Sequence, residues 1–131
     1  MYTSQVGRIV YAKNVLLWDS STGKLTDFTT RYNFIIDTQN KLVFGHGLAF
    51  FIAPVGIEIP PNSSGGFLGL FNTTTMDSSS NNQIIFVEFD SFPNTEWGET
   101  TEHVGINNNS VISSVMTPWN ASLHSGDTAE V

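Results

Sequence analysis

The stretch FVEFDSFPNTEWGETTEH, Phe86 to His103, holds five of the chain's twelve acidic residues and ends on one of its three histidines. The five acids are Glu88, Asp90, Glu96, Glu99 and Glu102, and charge is sparse elsewhere. On a strand, alternate residues point the same way with Cα atoms about 6.7 Å apart. Glu88, Asp90 and Phe92 therefore share one face, while Val87 and Phe89 point into the opposite layer. Neighbouring carboxylates repel unless something positive lies between them, and a hard cation with oxygen ligands at about 2.0–2.6 Å answers that repulsion. The loop PNTEWGETTEH is long enough to curl back, offering Asn94 as an amide oxygen, Glu99 as a third carboxylate and His103 as an imidazole. Carboxylate, amide and carbonyl oxygens suit Ca²⁺, and carboxylates with one imidazole suit a transition metal such as Mn²⁺. A solvated acidic loop beside an edge strand has the same spelling, and spacing alone does not choose between the two.

Strands must position these groups, because helix signals are almost absent. In DFTTRYNFIID, Asp27 to Asp37, Phe28, Thr30, Tyr32 and Phe34 alternate with Thr29, Arg31 and Asn33, the period of a half-buried strand. RIVYA and VLLWDS read as two strands or one bent strand, followed by the turn DSSTGK. GLAFFIAP, Gly47 to Pro54, is a continuous apolar run ended by proline, as expected of a strand buried on both faces. IPPNSSGG is a loop, GFLGLF a short strand, and Asn72 to Gln83 a polar loop. IIFVEFD is the next strand, and HVGINNNSVISSV carries two more around an asparagine cluster. Short strands between Gly, Pro, Asn and Ser loops are the signature of an all-β sandwich or jelly roll. No internal repeat or linker divides residues 1–131, so a single domain is expected.

Hydrophobic content of 40% with ten Phe supports a packed core. A net charge of −7 argues against nucleic acid and anionic membranes as partners. No apolar run approaches the roughly 20 residues of a membrane span. The absence of cysteine excludes disulfides and thiolate metal sites. Four N-x-S/T sequons at Asn62, Asn72, Asn108 and Asn120 are candidate glycosylation sites and favour a secreted origin. The N-terminal MYTSQVGRIVYAKN has no signal-peptide core.

The segment VEFDSFPNTEWGETTEHVGIN resembles the metal loop of the legume (L-type) lectins. VGRIVYAKNVLLWDSSTGKLTDFTTRYNFIID, GHGLAFFIAP and GGFLGLFN support the resemblance in the family's order. The wording of GHGLAFFIAP, IPPNSSGGFLGLFN and HVGINNNSVISS is most similar to lectin ectodomains of plant receptor-like kinases. The resemblance implies a concanavalin-like jelly-roll β-sandwich with one Ca²⁺ and one Mn²⁺ beside a shallow sugar pocket. It implies that Glu88 and His103 bind Mn²⁺ and that Asp90 and Glu99 bridge both ions. The backbone carbonyl of Phe92 and the side chain of Asn94 complete the Ca²⁺ shell, and Ser113 touches the Mn²⁺ site through water. For sugar, it implies stacking on Phe92 and donation from the Asn94 amide and the Gly66 backbone N–H. His46 stands at the position of the family's sugar-accepting aspartate.

The implied partners are glycans or glycoproteins, the implied location is an extracellular or plasma-membrane ectodomain, and the full-length family domain forms a homodimer. Two departures stand out. Glu99 occupies a position that is usually Asp, and neutral His46 offers one acceptor and one donor in place of a carboxylate. Family domains are nearly twice as long, so an incomplete sandwich is expected, with Tyr11, Leu17, Trp18, Phe34, Phe50 and Phe51 short of partners. Three functions follow: a metal-dependent, non-catalytic lectin, a lectin-like scaffold that no longer binds sugar, or a jelly-roll glycoside hydrolase. The hydrolase needs a further acid on the Glu88–Asp90 face, where Phe92 and Pro93 stand.

Overall fold

A computed structural model describes residues 4–76 and 80–131. Its eight strands are β1 (Trp18–Asp19), β2 (Lys24–Leu25), β3 (Asn33–Ile35), β4 (Gly47–Ile52), β5 (Ile85–Asp90), β6 (His103–Asn108), β7 (Val115–Pro118) and β8 (Thr128–Glu130). All pairings are antiparallel. The central sheet runs β4-β5-β6-β7, and β1-β2 and β3-β8 form two small ladders. Strands β5 and β6 take the middle of the sheet. Register places Asp90 opposite His103 and Glu88 opposite Gly105, so the acid pair of one strand faces the histidine end of the next.

One face of the sheet packs against loops. Leu70, Phe71, Ile84, Phe86 and Val111 form the buried core, flanked by Phe51, Ile57, Phe67 and Trp97. Fully burying a side chain of this size stabilises by roughly 1.5–3 kcal/mol. The other face meets β3 through stacked rings. Tyr32 lies 5.0 Å from Phe50, and Phe34 meets Phe89 edge-on at 4.6 Å. Trp119 extends this series, edge-on to Phe89 at 5.6 Å and stacked on His124 at 5.7 Å. Beyond that cover, Ile85, Ile106 and Val115 stay 50–59% exposed on the same face.

Several sequence expectations are revised. The DSSTGK turn forms, with Asp19 accepting from the Ser21 N–H at 2.8 Å and the Thr22 hydroxyl at 2.9 Å. Of RIVYA and VLLWDS, however, only Trp18–Asp19 joins a ladder, and Ile9 and Tyr11 are 96% and 75% exposed. Of Asp27 to Asp37, only Asn33–Ile35 forms a strand, with Tyr32 adding a reciprocal pair of backbone bonds to Val131 at 2.9 and 3.0 Å. The GLAFFIAP strand is half-buried along Leu48–Ile52 because, among the described residues, β4 is bonded to β5 alone, leaving its other edge open. GFLGLF is not a strand: Gly65–Phe67 is a 3-10 turn, and Leu68 at φ 51° and Gly69 at φ 75° turn the chain left-handed. After the asparagine cluster, the second strand begins only at Val115. Asp77, Ser78 and Ser79 of the expected polar loop lie outside the described residues.

Candidate metal and carbohydrate site

Four of the residues singled out in Phe86–His103 are buried together at one end of β5 and β6. Glu88 is 2% exposed, Asp90 1%, Glu99 7% and His103 1%. Strand geometry explains the first two and the last: Glu88 and Asp90 point inward from β5, and His103 opens β6 opposite Asp90. Space for Glu88 comes from Gly105, where a Cβ would run into the Ser113 hydroxyl and stand 2.8 Å from Glu88 Oε1. The loop supplies Glu99, whose Oε2 accepts the Asn94 backbone N–H at 2.5 Å.

Each carboxylate has found a local partner. Glu88 Oε1 accepts from the Ser113 hydroxyl at 2.5 Å and lies 3.3 Å from His103 Nε2. Asp90 Oδ1 accepts the Phe92 N–H at 2.6 Å. Among the described residues, no three acidic or histidine side chains converge tightly enough to enclose an ion as they stand. One imidazole against three buried carboxylates leaves the cluster short of positive charge. Burial is the main reason the Asp90 carboxyl is pushed up to about 7; the Phe92 N–H opposes it, and Glu99 and Glu88 add to it. Burial also raises Glu99, against the Asn94 N–H.

Asn94 connects this interior to the surface. Its Oδ1 is buried without a hydrogen-bond partner. Its Nδ2 donates to Glu96 Oε1 at 2.9 Å on the exposed side. Gly66 sits directly against it, since a Cβ there would collide with Asn94 Oδ1 and the Trp97 ring. Trp97 braces the loop from within, 5.3 Å from the Phe67 ring. His46 follows a cis Gly45–His46 peptide and packs 4.8 Å from the Phe92 ring. A Cβ on Gly65 would stand 3.4 Å from His46. Burial lowers the His46 pKa, and Glu96 opposes that shift. His46, Gly65 and Phe92 line part of a groove of about 970 Å³, and Phe92 is 39% exposed. A partly open aromatic ring can stack on an apolar sugar face, whereas Gly66, Asn94 and Glu96 are not among the residues that line this groove.

Asn107 is a residue that the sequence reading passed over. It is 0% exposed, donates to the Ser110 and Val111 carbonyls at 3.3 and 3.2 Å, and accepts from Ser113 at 3.2 Å. It thereby holds Ser113 against Glu88. The available signal was the inward phase of β6, which places Asn107 on the same face as His103. Glu102 stays apart, its Oε2 accepting the Ala121 N–H at 2.6 Å. Of the sequon residues, Asn62, Asn108 and Asn120 are exposed, and Asn72 donates to the Pro61 carbonyl at 3.1 Å.

Comparisons with known proteins agree with this architecture. The chain is 51% identical over 134 residues to L-type lectin-domain containing receptor kinase IX.1 of Arabidopsis thaliana, covering 99% of this chain and 20% of that one. Agglutinin-2 of Cladrastis kentukea is 43% identical, over 96% of this chain and 43% of its own length. Among solved structures, lectin II from Ulex europaeus matches with a TM-score of 0.85 and 39% identity, covering 98% of this chain and 54% of that one. The Lotus tetragonolobus seed lectin matches with a TM-score of 0.79 and 40% identity, covering 92% and 50%. The chain thus spans about half the length of the solved lectins it matches. The legume lectin domain profile matches residues 1–131, and on that match, with relatives and fold in accord, the chain belongs to the legume lectin domain family.

Proposed function

We propose that the chain is a non-catalytic carbohydrate-binding module whose pocket, formed by His46, Gly66, Phe92 and Asn94, is held in shape by divalent ions. Asn94 is the observation that carries this reading. A buried polar atom left unpaired costs about 1–3 kcal/mol, and Asn94 Oδ1 is such an atom. Oδ1 is packed against Gly66, while Nδ2 donates to the exposed Glu96, and the Asn94 backbone N–H is already bonded to buried Glu99. That polarity suits a residue offering oxygen to a hard cation and N–H to a sugar.

The donor set fits the ions. Asp90, Glu99, the Phe92 carbonyl and Asn94 would hold Ca²⁺. Glu88 and His103, with Asp90 and Glu99 shared, would hold Mn²⁺, and Ser113 would support Glu88. Bound ions would neutralise the buried carboxylates and fix the loop. The protein's own part is to present the Phe92 ring and the Asn94 and Gly66 N–H groups in one rigid surface. Burial of Glu88 and Asp90 counts against the hydrolase, since neither carboxylate is open to a glycosidic bond. A lectin UEA-II has been solved in complex with galactose. The similarity to receptor kinases supports a role as the extracellular, glycan-sensing part of such a receptor.

A second reading, a lectin-like scaffold that binds no sugar, draws support from the separated acid side chains and from His46. A glycan array with and without EDTA separates the two. The lectin reading expects signal in Ca²⁺ and Mn²⁺ that disappears with EDTA and in Asn94→Ala. Signal indifferent to both treatments, or no signal with ions bound, rejects it.

A further inference from the structure

We propose that Glu96 is the hydroxyl acceptor of this sugar pocket, pairing with the Asn94 donor to recognise a vicinal diol. The proposal deepens the glycan-binding reading and depends on it.

A sugar hydroxyl both donates and accepts, so a pocket made of donors alone leaves hydroxyl protons unpaired. The Asn94 amide and the Gly66 N–H are donors, and neutral His46 brings one acceptor at most. The neighbouring carboxylates are committed elsewhere. Glu88, Asp90 and Glu99 are buried and accept from Ser113, Phe92 and Asn94 respectively. Glu102 accepts from Ala121. Glu96 alone in this stretch is exposed and touches a pocket residue, with Oε1 2.9 Å from Asn94 Nδ2. Its charge also acts on His46.

The backbone pins this arrangement. Glu96 is the middle residue of the 3-10 turn Thr95–Trp97. The Trp97 N–H bonds the Asn94 carbonyl at 2.9 Å, and the Gly98 N–H bonds the Thr95 carbonyl at 3.1 Å. A carboxylate offers about four acceptor positions, and an amide NH₂ offers two protons. The carboxylate also accepts the Glu96 backbone N–H, and with both bonds made it keeps acceptor positions in reserve while one Asn94 proton stays free to donate. A free donor beside a free acceptor is the complement of two adjacent hydroxyls, one accepting and the next donating.

The test uses the full chain with Ca²⁺ and Mn²⁺ bound, against neoglycoproteins bearing galactose, mannose or N-acetylglucosamine, read by surface plasmon resonance. Glu96 is exposed, so Glu96→Gln is expected to leave the melting temperature unchanged. Its affinity for the bound neoglycoprotein should fall about tenfold, which is about 1.4 kcal/mol. Adding His46→Asp, which returns a carboxylate to the same pocket, should recover most of the loss. Wild-type affinity in Glu96→Gln overturns the proposal and leaves the glycan-binding reading intact. Failure of His46→Asp to rescue shows that Glu96 acts only by holding Asn94, and overturns the acceptor role. Binding of no neoglycoprotein by wild type or variants overturns the glycan-binding reading and this proposal with it.

Discussion

Asp90 carries the sharpest tension in the molecule: a carboxyl 1% exposed among two other buried acids, with one imidazole nearby. Without ions, the folded state holds the Asp90 proton up to about pH 7, against an ordinary value of 3.8. The folded state therefore binds protons more tightly than the unfolded state across this window. Metal-free stability should fall as pH rises from about 4 to 7, with Glu99 acting in the same direction. Each tenfold difference in proton affinity corresponds to about 1.4 kcal/mol. The melting temperature in EDTA should thus rise when pH is lowered from 8 to 5, and the trend should reverse with Ca²⁺ and Mn²⁺ present. Asp90→Asn should be more stable than wild type in EDTA at pH 8 and should gain nothing from added ions. Thermal melts of both proteins in both buffers check this. The identities of these residues were legible in the sequence, because an inward strand phase and a run of oxygen donors are both written in letter order. The bond from Asn94 to Glu96 was not legible, because it depends on a 3-10 turn that leaves no periodic trace.

Strands β5 and β6 supply Glu88, Asp90 and His103, and the runs IIFVEFD and HVGINNNSVISSV between polar loops marked them as strands in the sequence. Gly47 is the tightest point of the β4–β5 contact. At φ 134° it has a backbone few side chains adopt, and a Cβ there would collide with the Phe89 carbonyl. Gly47→Ala should cost about 1–3 kcal/mol, visible as a lower melting temperature, and should weaken ion binding by shifting Asp90, its register partner. An unchanged melt would contradict the packing described. GFLGLF misleads as a sequence because its apolar residues pack from a turn: Phe67, Leu70 and Phe71 join the core while Leu68 and Gly69 turn left-handed. Alternation in Asp27–Thr30 and the apolar run in Arg8–Leu17 record apolar faces, not ladders. Those segments have no strand partner among the described residues, and Ile9, Tyr11, Leu16 and Phe28 remain 49–96% exposed.

At the scale of the whole molecule, the central sheet presents Ile85, Ile106 and Val115 to solvent, and among the described residues β4 has an unpaired edge. Exposed apolar surface beside an open strand edge promotes association. The 131-residue chain by itself is expected to self-associate or to melt at low temperature. A sharp, reversible, concentration-independent melt of a monomer in ultracentrifugation and calorimetry would contradict that expectation. Short apolar runs between polar loops pointed to the all-β class, but they could not show which faces find cover, since burial depends on strands far apart in the chain. On the proposed function, the pocket owes its shape to ions bound between Glu88 and His103. Calorimetric titration of the purified chain with Ca²⁺ and Mn²⁺, with Asp90→Ala as control, tests it most directly. Saturable binding to wild type, absent in Asp90→Ala, is the predicted result; no heat of binding in a chain shown to be folded would contradict it.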